Sequence, residues 1–396
     1  MINAYLRADG RKGIRNTVVV AYLVECAHHV SREIYYPFRE QGAHLIGFPG
    51  CFPNVYAHKM MERLCTHPNV GAALLVSLGC EGFNKGKLQE TVRKSGRPVK
   101  LLEIQGTGGT RKTIAEGKAW IEQTLKQLEN TTRANMTLDE LIVGTICGGS
   151  DATSGLTANP AMGRAFDFLV EKNATCIFEE TGELIGMEHW MAKRAENPIL
   201  GEEIVKTVAK AAKYYATYGH ASIGPGNADG GLTTIEEKSL GAYAKSGQSV
   251  ISGIIKPGDV PIRGGLYLLD VVPDGEPLFG FPNISDNAEI AELMACGSHL
   301  SLFSTGRGSV VGSAIAPVIK VCANPHTYKR MSDDMDVDAG RILEGRATLD
   351  EVGREIYDLI LRVCNGEQTK SEQLGHQEFI LTYKSFEPIG PACFPS

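Results

Sequence analysis

The sequence lacks the features that mark several common protein classes. It contains no apolar stretch of ~18 or more residues and no secretory signal pattern at its start. It also has no Lys/Arg cluster with interleaved aromatic residues, and its formal net charge is -6. We therefore expect neither a membrane protein nor a nucleic-acid-binding protein.

Several short functional motifs are missing as well. The absence of a Cys-x-x-Cys pair disfavours zinc ribbons and thioredoxin-like chemistry. Serine-hydrolase elbows (Gly-x-Ser-x-Gly), zincin motifs (His-Glu-x-x-His) and EF-hand loops do not occur either. The chain does contain ten cysteines, and without a signal peptide these indicate reduced thiols and a cytoplasmic location.

The length and composition of the chain are typical of a soluble globular protein. The chain has 396 residues, of which 43% are hydrophobic and 22% charged, so it can bury a sizeable core. Short apolar runs alternate with amphipathic ones, which predicts βαβ units and mainly parallel sheets. The polar stretch 129–137 lacks apolar periodicity, and we place a domain boundary there. The prediction is two consecutive α/β domains, residues 1–134 and 135–396, with the active site at strand C-terminal ends.

The same patterns locate individual elements. Strands are predicted near residues 17–24, 43–48, 72–78, 99–104, 141–146, 174–179, 249–255, 266–272 and 299–304. Helices are predicted near residues 28–40, 110–128, 160–172, 199–217, 234–246, 286–296 and 349–364. The last helix has a capping box in which Thr348 is followed by Glu351.

Three cysteines each lie in a glycine-bearing turn after a strand-like run. They are Cys51, Cys80 and Cys147. Because loops at strand C-terminal ends build the active site in open α/β folds, three soft thiolate donors there suggest iron or zinc. The alternative is that the three thiols are small hydrophobic residues packed in the core.

An acidic turn follows another predicted strand. Glu179, Glu180 and Glu183 lie there, and Glu188 and His189 come soon after. Clustered carboxylates suit acid–base catalysis or a hard cation, and repulsion between them would raise at least one pKa, as a proton shuttle requires. The alternatives are a solvated acidic turn and an ordinary polar histidine at a helix start.

Three further segments carry candidate ligand-binding groups. The run 147–160 presents Ser150, Asp151 and Asn159, which could bind a polyhydroxylated ligand or merely cap turns. Residues 224–231 hold four glycines, a density that favours a substrate lid, and Lys238 follows. Lys238 could neutralise a carboxylate, act as a desolvated base, or lie on a helix surface. Arg307, between two glycines, could bind a carboxylate or form a structural ion pair.

Taken together, these segments resemble the altronate/galactarate dehydratase family, the UxaA-like hydro-lyases. The resemblance extends over nearly the whole chain, because several motifs occur in the family's order. They lie at residues 7–16, 79–81, 108–112, 147–151, 157–160, 230–234, 237–241, 305–308, 334–336 and 370–372.

The resemblance implies a reaction. Family members dehydrate an aldonic or aldaric acid to a 2-keto-3-deoxy acid with ferrous iron, and one branch expels sulfite from sulfolactate. We therefore expect a hydro-lyase for an altronate- or galactarate-like sugar acid that works by metal-assisted β-elimination. The alternatives are a sulfolactate sulfo-lyase large subunit and a non-catalytic sugar-acid-binding subunit. Arg307 and the cysteines at 51 and 80 look more like the dehydratase branch.

The resemblance also implies roles for individual residues. Proton transfer falls to Asp151, Glu180, Glu183 or Lys238. Substrate binding falls to Asn159, Asn227, Thr233, Thr234, Thr305 and Arg307. Iron, as Fe2+ or an iron–sulfur cluster, would be held by Cys51, Cys80 and Cys147, or by Asp151, Glu180 and His189.

Two departures from the family's longer members complete the expectations. Those members carry an extra N-terminal small domain, whereas the first family motif here begins within ten residues of Met1. The resemblance thus implies a large subunit whose missing domain is a separate small protein, and we expect a homo-oligomer. The second departure is Gly182, where dehydratases often have proline.

Overall fold

A computed structural model of the chain describes residues 1–217, 222–274, 285–382 and 384. Two parallel sheets with flanking helices dominate it, and a small antiparallel sheet joins distant parts of the chain. The predicted fold class, α/β with parallel sheets, is confirmed. Among the described residues, no helix is both long and apolar enough to cross a membrane.

The strands have the following bounds in this part of the chain: β1 Ile2–Leu6, β2 Lys12–Gly13, β3 Thr17–Tyr22, β4 Ala43–Gly47, β5 Val70–Ser77, β6 Val99–Glu103, β7 Arg133–Met136, β8 Ile142–Cys147, β9 Thr175–Phe178, β10 Ile251–Ile255, β11 Gly265–Leu269, β12 Leu300–Thr305, β13 Val318–Cys322 and β14 Val337–Asp338.

The α-helices are α1 His28–Tyr35, α2 Val55–Cys65, α3 Lys85–Lys94, α4 Ile104–Thr107, α5 Thr110–Leu128, α6 Ala158–Val170, α7 Glu188–Ala192, α8 Pro198–Thr217, α9 Pro225–Asp229, α10 Ile235–Ala244, α11 Asp286–Ala295, α12 Pro325–Arg330, α13 Leu349–Cys364 and α14 Lys370–Gln373.

The first parallel sheet has the strand order β4-β3-β5-β6. Every residue of β5 is buried, and β3 is buried except at Tyr22. Helices cover both faces of such a sheet, so its central strands read as continuous apolar runs rather than alternating ones. The loops that carry Cys51 and Cys80 follow β4 and β5 at the C-terminal edge of this sheet.

The second parallel sheet has the order β10-β11-β9-β8-β12-β13-β14. Its central strand β8 pairs with β9 on one side and with β12 on the other. The chain leaves β8 toward β9 and reaches β12 only later, so the strand order reverses beside β8. In open α/β sheets, a crevice for ligands forms outside the strand C-terminal ends at such a reversal. The crevice here lies beside Cys147, the last residue of β8.

The antiparallel sheet has the order β2-β1-β7 and pairs Ile2 with Met136. Its strand β7 lies inside the polar stretch 129–137 that we interpreted as a domain boundary. That stretch is therefore partly a strand rather than wholly irregular. The division into residues 1–134 and 135–396 stays a prediction.

Two buried histidines connect the sheets. The Nδ1 atom of His67 accepts the N–H of Asn69 at 3.0 Å, and its Nε2 lies 3.1 Å from the carbonyl oxygen of Ser298. Since an N–H points at Nδ1, the proton of the neutral ring is on Nε2. Burial, reinforced by the neighbouring His299, lowers the pKa of His67 well below its usual value.

His299 repeats this arrangement. Its Nδ1 accepts the N–H of Ile142 at 3.1 Å, and its Nε2 lies 3.0 Å from the carbonyl oxygen of Lys12. Burial lowers the pKa of His299 to about 4, against the opposing effect of these backbone bonds. Both rings are therefore neutral at physiological pH. His299 holds Lys12 of the N-terminal segment, and His67 holds Ser298, which lies just before β12.

Candidate active site

The candidate site begins where β8 and β9 end. Glu180 follows β9 with a φ of 74°, a left-handed conformation that a non-glycine residue seldom adopts. This backbone turn directs its carboxyl group to Cys147. The N–H of Cys147 donates to Glu180 Oε2 at 3.2 Å, and the Cys147 Sγ lies 3.4 Å from Oε1. A strained residue held this firmly is a feature of functional sites.

Glu183 completes the cluster from the short 3-10 turn Thr181–Glu183. The Cys147 Sγ lies 3.1 Å from Glu183 Oε2, so the thiol is within hydrogen-bonding distance of both carboxyl groups. Ser150 donates its hydroxyl to the same sulfur at 3.2 Å. Burial, followed by the two glutamates, raises the pKa of Cys147 well above its usual value, so the residue is a thiol rather than a thiolate.

Two lysines of one helix face these carboxyl groups. Lys238 lies in α10 and Lys245 caps its C-terminus, and a spacing of seven residues puts both on one side of the helix. Lys238 forms an ion pair with Glu183 Oε1 and donates to the Ser222 carbonyl oxygen at 2.6 Å. Lys245 pairs with Glu180 and lies 3.9 Å from Glu183 Oε2, and its side chain is only 1% exposed.

These contacts set the charges of the carboxyl groups. Burial, together with the nearby Glu183, raises the pKa of Glu180 to about 8, although Lys245 opposes the shift. Burial also opposes ionisation of Glu183, but Lys238 and Lys245 outweigh it and lower the pKa of that residue. One carboxyl group in this turn thus has a raised pKa, but burial contributes more to the shift than the repulsion on which the sequence interpretation was based. Glu183 is a carboxylate at neutral pH.

A cavity of about 330 Å³ opens onto this cluster. Besides the cluster, its walls include the carboxyl groups of Asp286 and Glu289 from α11. Gly148 has to be glycine, because a Cβ there would collide with the Asp286 carboxylate and the Phe303 ring. A second cavity of about 340 Å³ lies alongside and shares Cys147, Ser150, Glu183 and Lys238 with the first. The Glu183–Lys238 pair thus faces both spaces.

Gly182 shapes the wall of the first cavity. A Cβ at this position would collide with the ring of Tyr215, which lines the cavity. The absence of a side chain at Gly182 therefore leaves room for this aromatic ring in the cavity wall.

A second group of carboxyl groups adjoins the cluster. One oxygen from each of Glu179, Glu180 and Glu289 lies within 4.8 Å of the others. Glu179 is 1% exposed, and its Oε1 has no hydrogen-bond partner among the described residues. Burial and repulsion from Glu289 raise the pKa of Glu179 well above its usual value, and burial and Glu180 do the same for Glu289.

The structure brings together part of the predicted site. Glu180, Glu183, Lys238 and Cys147 converge, and all are buried or nearly so, which excludes a solvated acidic turn and a surface lysine. Sequence reasoning missed Lys245, Asp286 and Glu289. The seven-residue spacing between Lys238 and Lys245 could have pointed to Lys245. The helix α11 was predicted, but nothing in the sequence placed its carboxyl groups at the site.

The three predicted thiol ligands do not come together. In the described part of the chain, two residue groups have the spacing to hold a metal, and Cys51 and Cys80 belong to neither. Both of these cysteines are exposed, and Cys51 offers its carbonyl oxygen to the N–H of Gly82 at 2.8 Å. The physical reason is that Cys51 and Cys80 lie in loops after strands of the first sheet, whereas Cys147 ends a strand of the second.

Asp151 and Asn159 serve the loops around the site. Asp151 Oδ1 accepts from the N–H and the hydroxyl of Thr153, and Oδ2 accepts from Asn324 at 3.1 Å. Asn159 donates to the Gly241 carbonyl oxygen at 3.0 Å and accepts from Ser304 at 2.6 Å. Asp151 therefore caps its own turn, as the alternative had it, whereas Asn159 links α6 to α10 and β12. Both residues also line the second cavity, and their predicted roles toward the substrate stay predictions. His189 is exposed on α7 and belongs to neither potential metal group in the described residues.

The other predicted binding residues lie around the rim and in nearby turns. Thr234 caps α10, Thr233 donates its hydroxyl to Glu237, and the hydroxyl oxygen of Thr305 accepts from Gly308. Asn227 lines the first cavity while it bridges Gly224 and Ser150. Arg307, with 42% of its side chain exposed, contacts the Gly226 carbonyl oxygen and lies 3.7 Å from Asp229. These contacts agree with the alternative in which Arg307 forms a structural ion pair rather than binding a substrate carboxylate.

Family models match both parts of the chain. Residues 138–386 match the model described as D-galactarate/Altronate dehydratase, C-terminal, and residues 4–129 match D-galactarate dehydratase/Altronate hydrolase, second domain. Together they cover most of the chain and confirm the resemblance on which the sequence interpretation depended.

Individual relatives agree with the family models. The chain is 33% identical to the (2R)-sulfolactate sulfo-lyase subunit beta of Chromohalobacter salexigens, over 96% of each protein. It is 28% identical to the altronate dehydratase of Escherichia coli, over 96% of this chain and 77% of the relative. It is 32% identical to galactarate dehydratase (L-threo-forming) of E. coli, over 80% of this chain and 61% of the relative.

Proposed function

Because the chain belongs to the D-galactarate/altronate dehydratase family, we propose that it is a hydro-lyase that converts a sugar acid to a 2-keto-3-deoxy acid. The relatives named above are lyases, and lyase is the enzyme class that they share. The narrower choice of an aldonate or aldarate substrate depends on the two dehydratases. It is part of the proposal.

The observation that carries the proposal is the Glu183–Lys238 ion pair, which faces both cavities. A β-elimination needs a base at the carbon next to the carboxylate and an acid at the departing hydroxyl. Glu183 is held as a carboxylate. The Glu183 charge also raises the pKa of Lys238, although burial opposes it, so Lys238 is an ammonium group. The pair therefore supplies one proton acceptor and one proton donor in contact.

The proposed reaction uses the pair as follows. Glu183 accepts the proton from the carbon next to the substrate carboxylate, and the electron pair of that bond forms the carbon–carbon double bond. The hydroxyl on the adjacent carbon leaves with a proton from Lys238, as water. The resulting enol tautomerises to the 2-keto-3-deoxy acid. Proton transfer from Glu183 to Lys238 then restores both groups, which is the shuttle that the acidic turn suggested.

The direction of the pKa shift bears on an alternative role for Lys238. The sequence left open that a desolvated Lys238 is the base, which would require a lowered pKa. Its pKa is raised instead. We therefore assign the base to Glu183 and keep Lys238 as the donor, while Lys245 pairs with Glu180.

A metal remains part of the expectation, since buried thiol and carboxyl groups adjoin the cavity. Iron held by Cys51, Cys80 and Cys147 does not fit, because these thiols do not gather in the described structure. In the cluster of Cys147, Glu180 and Glu183, the carboxylate oxygens already contact the thiol and the two lysines. No step of the proposed reaction passes through iron.

One observation favours a second candidate function, release of sulfite from sulfolactate. The chain matches the sulfo-lyase subunit over 96% of each protein, whereas it spans 77% of the E. coli altronate dehydratase. The same pair could remove the proton, after which sulfite leaves with the electrons of the carbon–sulfur bond. The name of this relative also supports the proposal that the chain works with a separate small subunit.

The test is a product assay on the tagged chain, isolated from its own cells together with whatever binds it. We would offer a panel of aldonates, aldarates and (2R)-sulfolactate, and measure 2-keto acid and sulfite. Keto acid from a sugar acid without sulfite supports the dehydratase. Sulfite from sulfolactate alone supports the second candidate. A preparation that binds sugar acids but forms neither product would return us to a non-catalytic binding subunit.

A further inference from the structure

The proposed reaction leaves one proton transfer without a residue. In that reaction, Glu183 takes the proton from the carbon next to the carboxylate, and its partner Lys238 sends a proton out with the hydroxyl. Transfer between the two then restores both groups, so neither has a proton left for the substrate. The enol can become a keto acid only when carbon 3 gains a proton and the hydroxyl on carbon 2 loses one.

Asp286 is a carboxyl group in the wall of the first cavity that the reaction has not used. It is the first residue of α11, whose N-terminus is capped by the side chain of Ser285, and it lines the cavity together with Glu183 and Lys238. Its carboxyl group lies against the backbone of Gly148, where no side chain intervenes. Asp286 therefore reaches the same space as the ion pair, but from a different structural element.

The Asp286 carboxyl group is also available to a ligand. In the described part of the chain it takes part in no salt bridge, and it accepts a hydrogen bond from the N–H of its own residue. The side chain is half-buried rather than enclosed. A carboxyl group that faces a cavity with unused lone pairs can exchange protons with a molecule bound there.

Other acidic groups of this cavity are less suited to that exchange. The carboxyl oxygens of Glu180 are engaged by Cys147 and Lys245. Burial and the charge of Glu180 raise the pKa of Glu289 well above its usual value, and burial does the same for the Cys147 thiol. Glu289 and Cys147 therefore keep their protons at neutral pH.

Asp286 has an intermediate acidity. Burial, followed by the charge of Glu183, raises the pKa of Asp286 to about 6, against the opposing effect of the N–H at the helix start. A proton is therefore present on about a tenth of these carboxyl groups at pH 7. An acid whose pKa is near neutral can both give and regain a proton during turnover.

We propose that Asp286 catalyses the last step of the proposed reaction, the conversion of the enol to the 2-keto-3-deoxy acid. The role rests on the proposed function, because only an elimination supplies the enol. It makes Asp286 a third proton-transfer residue beside Glu183 and Lys238.

The step balances without a further reactant. The protonated carboxyl group gives its proton to carbon 3, where the electrons of the carbon–carbon double bond form the new C–H bond. Its other oxygen accepts the proton of the hydroxyl on carbon 2, and the electrons of that O–H bond form the carbonyl. One proton leaves Asp286 and one arrives. Because the carboxyl group belongs to one wall, carbon 3 gains its proton on one face.

The experiment follows the new hydrogen on carbon 3. The tagged chain, isolated with whatever binds it, converts the sugar acid found in the product assay in D2O, and early samples are read by proton NMR. The wild type should give one of the two isomers that carry a single deuterium on carbon 3. Asp286→Asn keeps the shape of the side chain but has no acidic proton. It should still consume the sugar acid but give a near-equal mixture, because water protonates a released enol on either face.

Asp350→Asn is the matched control. Asp350 also lies in the first turn of a capped helix, but on the exposed surface, so this variant removes the same charge from a similar position. It should give the same single isomer as the wild type.

A second measurement needs only the wild type. Because a catalyst accelerates a step in both directions, Asp286 should also form the enol from the finished product. A 2-keto-3-deoxyaldonate kept with the chain in D2O should exchange one of its two protons on carbon 3 at least about tenfold faster than in buffer. The other proton should exchange at the buffer rate.

Several results would overturn the role of Asp286. They are a near-equal mixture from the wild type, a single isomer from folded Asp286→Asn, and no accelerated exchange by the wild type. A folded Asp286→Asn that no longer consumes the sugar acid would do so too, since Asp286 would then belong to the elimination. If keto acid still forms in these cases, the proposed function stands. Selective exchange by a chain that dehydrates no sugar acid supports Asp286 and contradicts the proposed function.

Discussion

At the scale of single residues, the site depends on which carboxyl group pairs with which lysine. Glu183 and Lys238 form one ion pair, and Glu180 and Lys245 form another, all within a buried cluster around one thiol. The first pair faces both cavities, whereas Lys245 is almost wholly enclosed. The two pairs therefore make separate predictions, the first about catalysis and the second about stability.

The catalytic prediction is that Glu183 and Lys238 act as a unit. Glu183→Gln or Lys238→Met should each lower kcat for dehydration by about 10²–10⁴-fold, the usual contribution of a positioned acid or base. The double variant should cost little more than either single change, because residues of one unit are strongly non-additive. Lys206→Met on the exposed face of α8 is the control. Multiplicative losses in the double variant would show that the two residues act separately.

The stability prediction concerns Lys245. Lys245→Met removes the partner of a buried carboxyl group, a change that typically destabilises by about 3–5 kcal/mol. Adding Glu180→Gln removes the unpaired charge and should recover part of the loss, as measured by denaturant unfolding at pH 8. If the double variant is no more stable than Lys245→Met alone, then packing of the lysine stem, rather than its charge, holds the cluster.

At the scale of elements, the sequence predicted the parallel sheets well for a physical reason. Strands covered on both faces are continuous apolar runs, so β3, β5, β8 and β12 were found within two residues of their ends. The small sheet of β1, β2 and β7 was missed because its strands are short and partly polar. Strand β13 and helices α2 and α3 were not identified either.

The same physics explains which site residues were found. Cys147, Glu180 and Glu183 follow strands of the second sheet, where loops converge. Cys51 and Cys80 also follow strands, but of the first sheet, and a sequence pattern does not tell which sheet a strand joins. Asp286 and Glu289 lie on a helix, and only the packing of α11 brings that face to the cavity.

The element-scale prediction concerns Thr234, which the resemblance had suggested as a substrate ligand. Its side chain accepts the N–H of Glu237 and caps the helix that carries Lys238. Thr234→Ala should lower the free energy of unfolding by about 1 kcal/mol, whereas Thr234→Asn keeps the cap and most of the stability. KM should not change in Thr234→Asn. A KM increase with unaltered stability would restore the threonine to the substrate.

At the scale of the whole molecule, the two sheets are held together partly by neutral histidines. His67 bonds to Ser298, which lies just before strand β12 of the second sheet, and His299 bonds to Lys12 in the N-terminal segment. Asn69 reinforces the junction by donating to the carbonyl oxygens of His299 and Ile315 at 2.9 and 3.2 Å. Since each ring accepts a backbone N–H, protonation would remove an acceptor and bury a positive charge.

The junction therefore predicts acid sensitivity of the whole fold. The pKa of His299 is about 4 in the folded chain, against an ordinary value of 6.5, so the unfolded chain binds more protons between these values. Stability should be complete above pH 6.5 and fall as the pH drops toward 4, by roughly 3 kcal/mol for this residue. His299→Gln keeps one donor and one acceptor but cannot titrate, so its unfolding free energy should fall less between pH 7 and pH 5. If the unfolding free energy falls equally in both proteins, then groups other than His299 cause the loss of stability at acid pH.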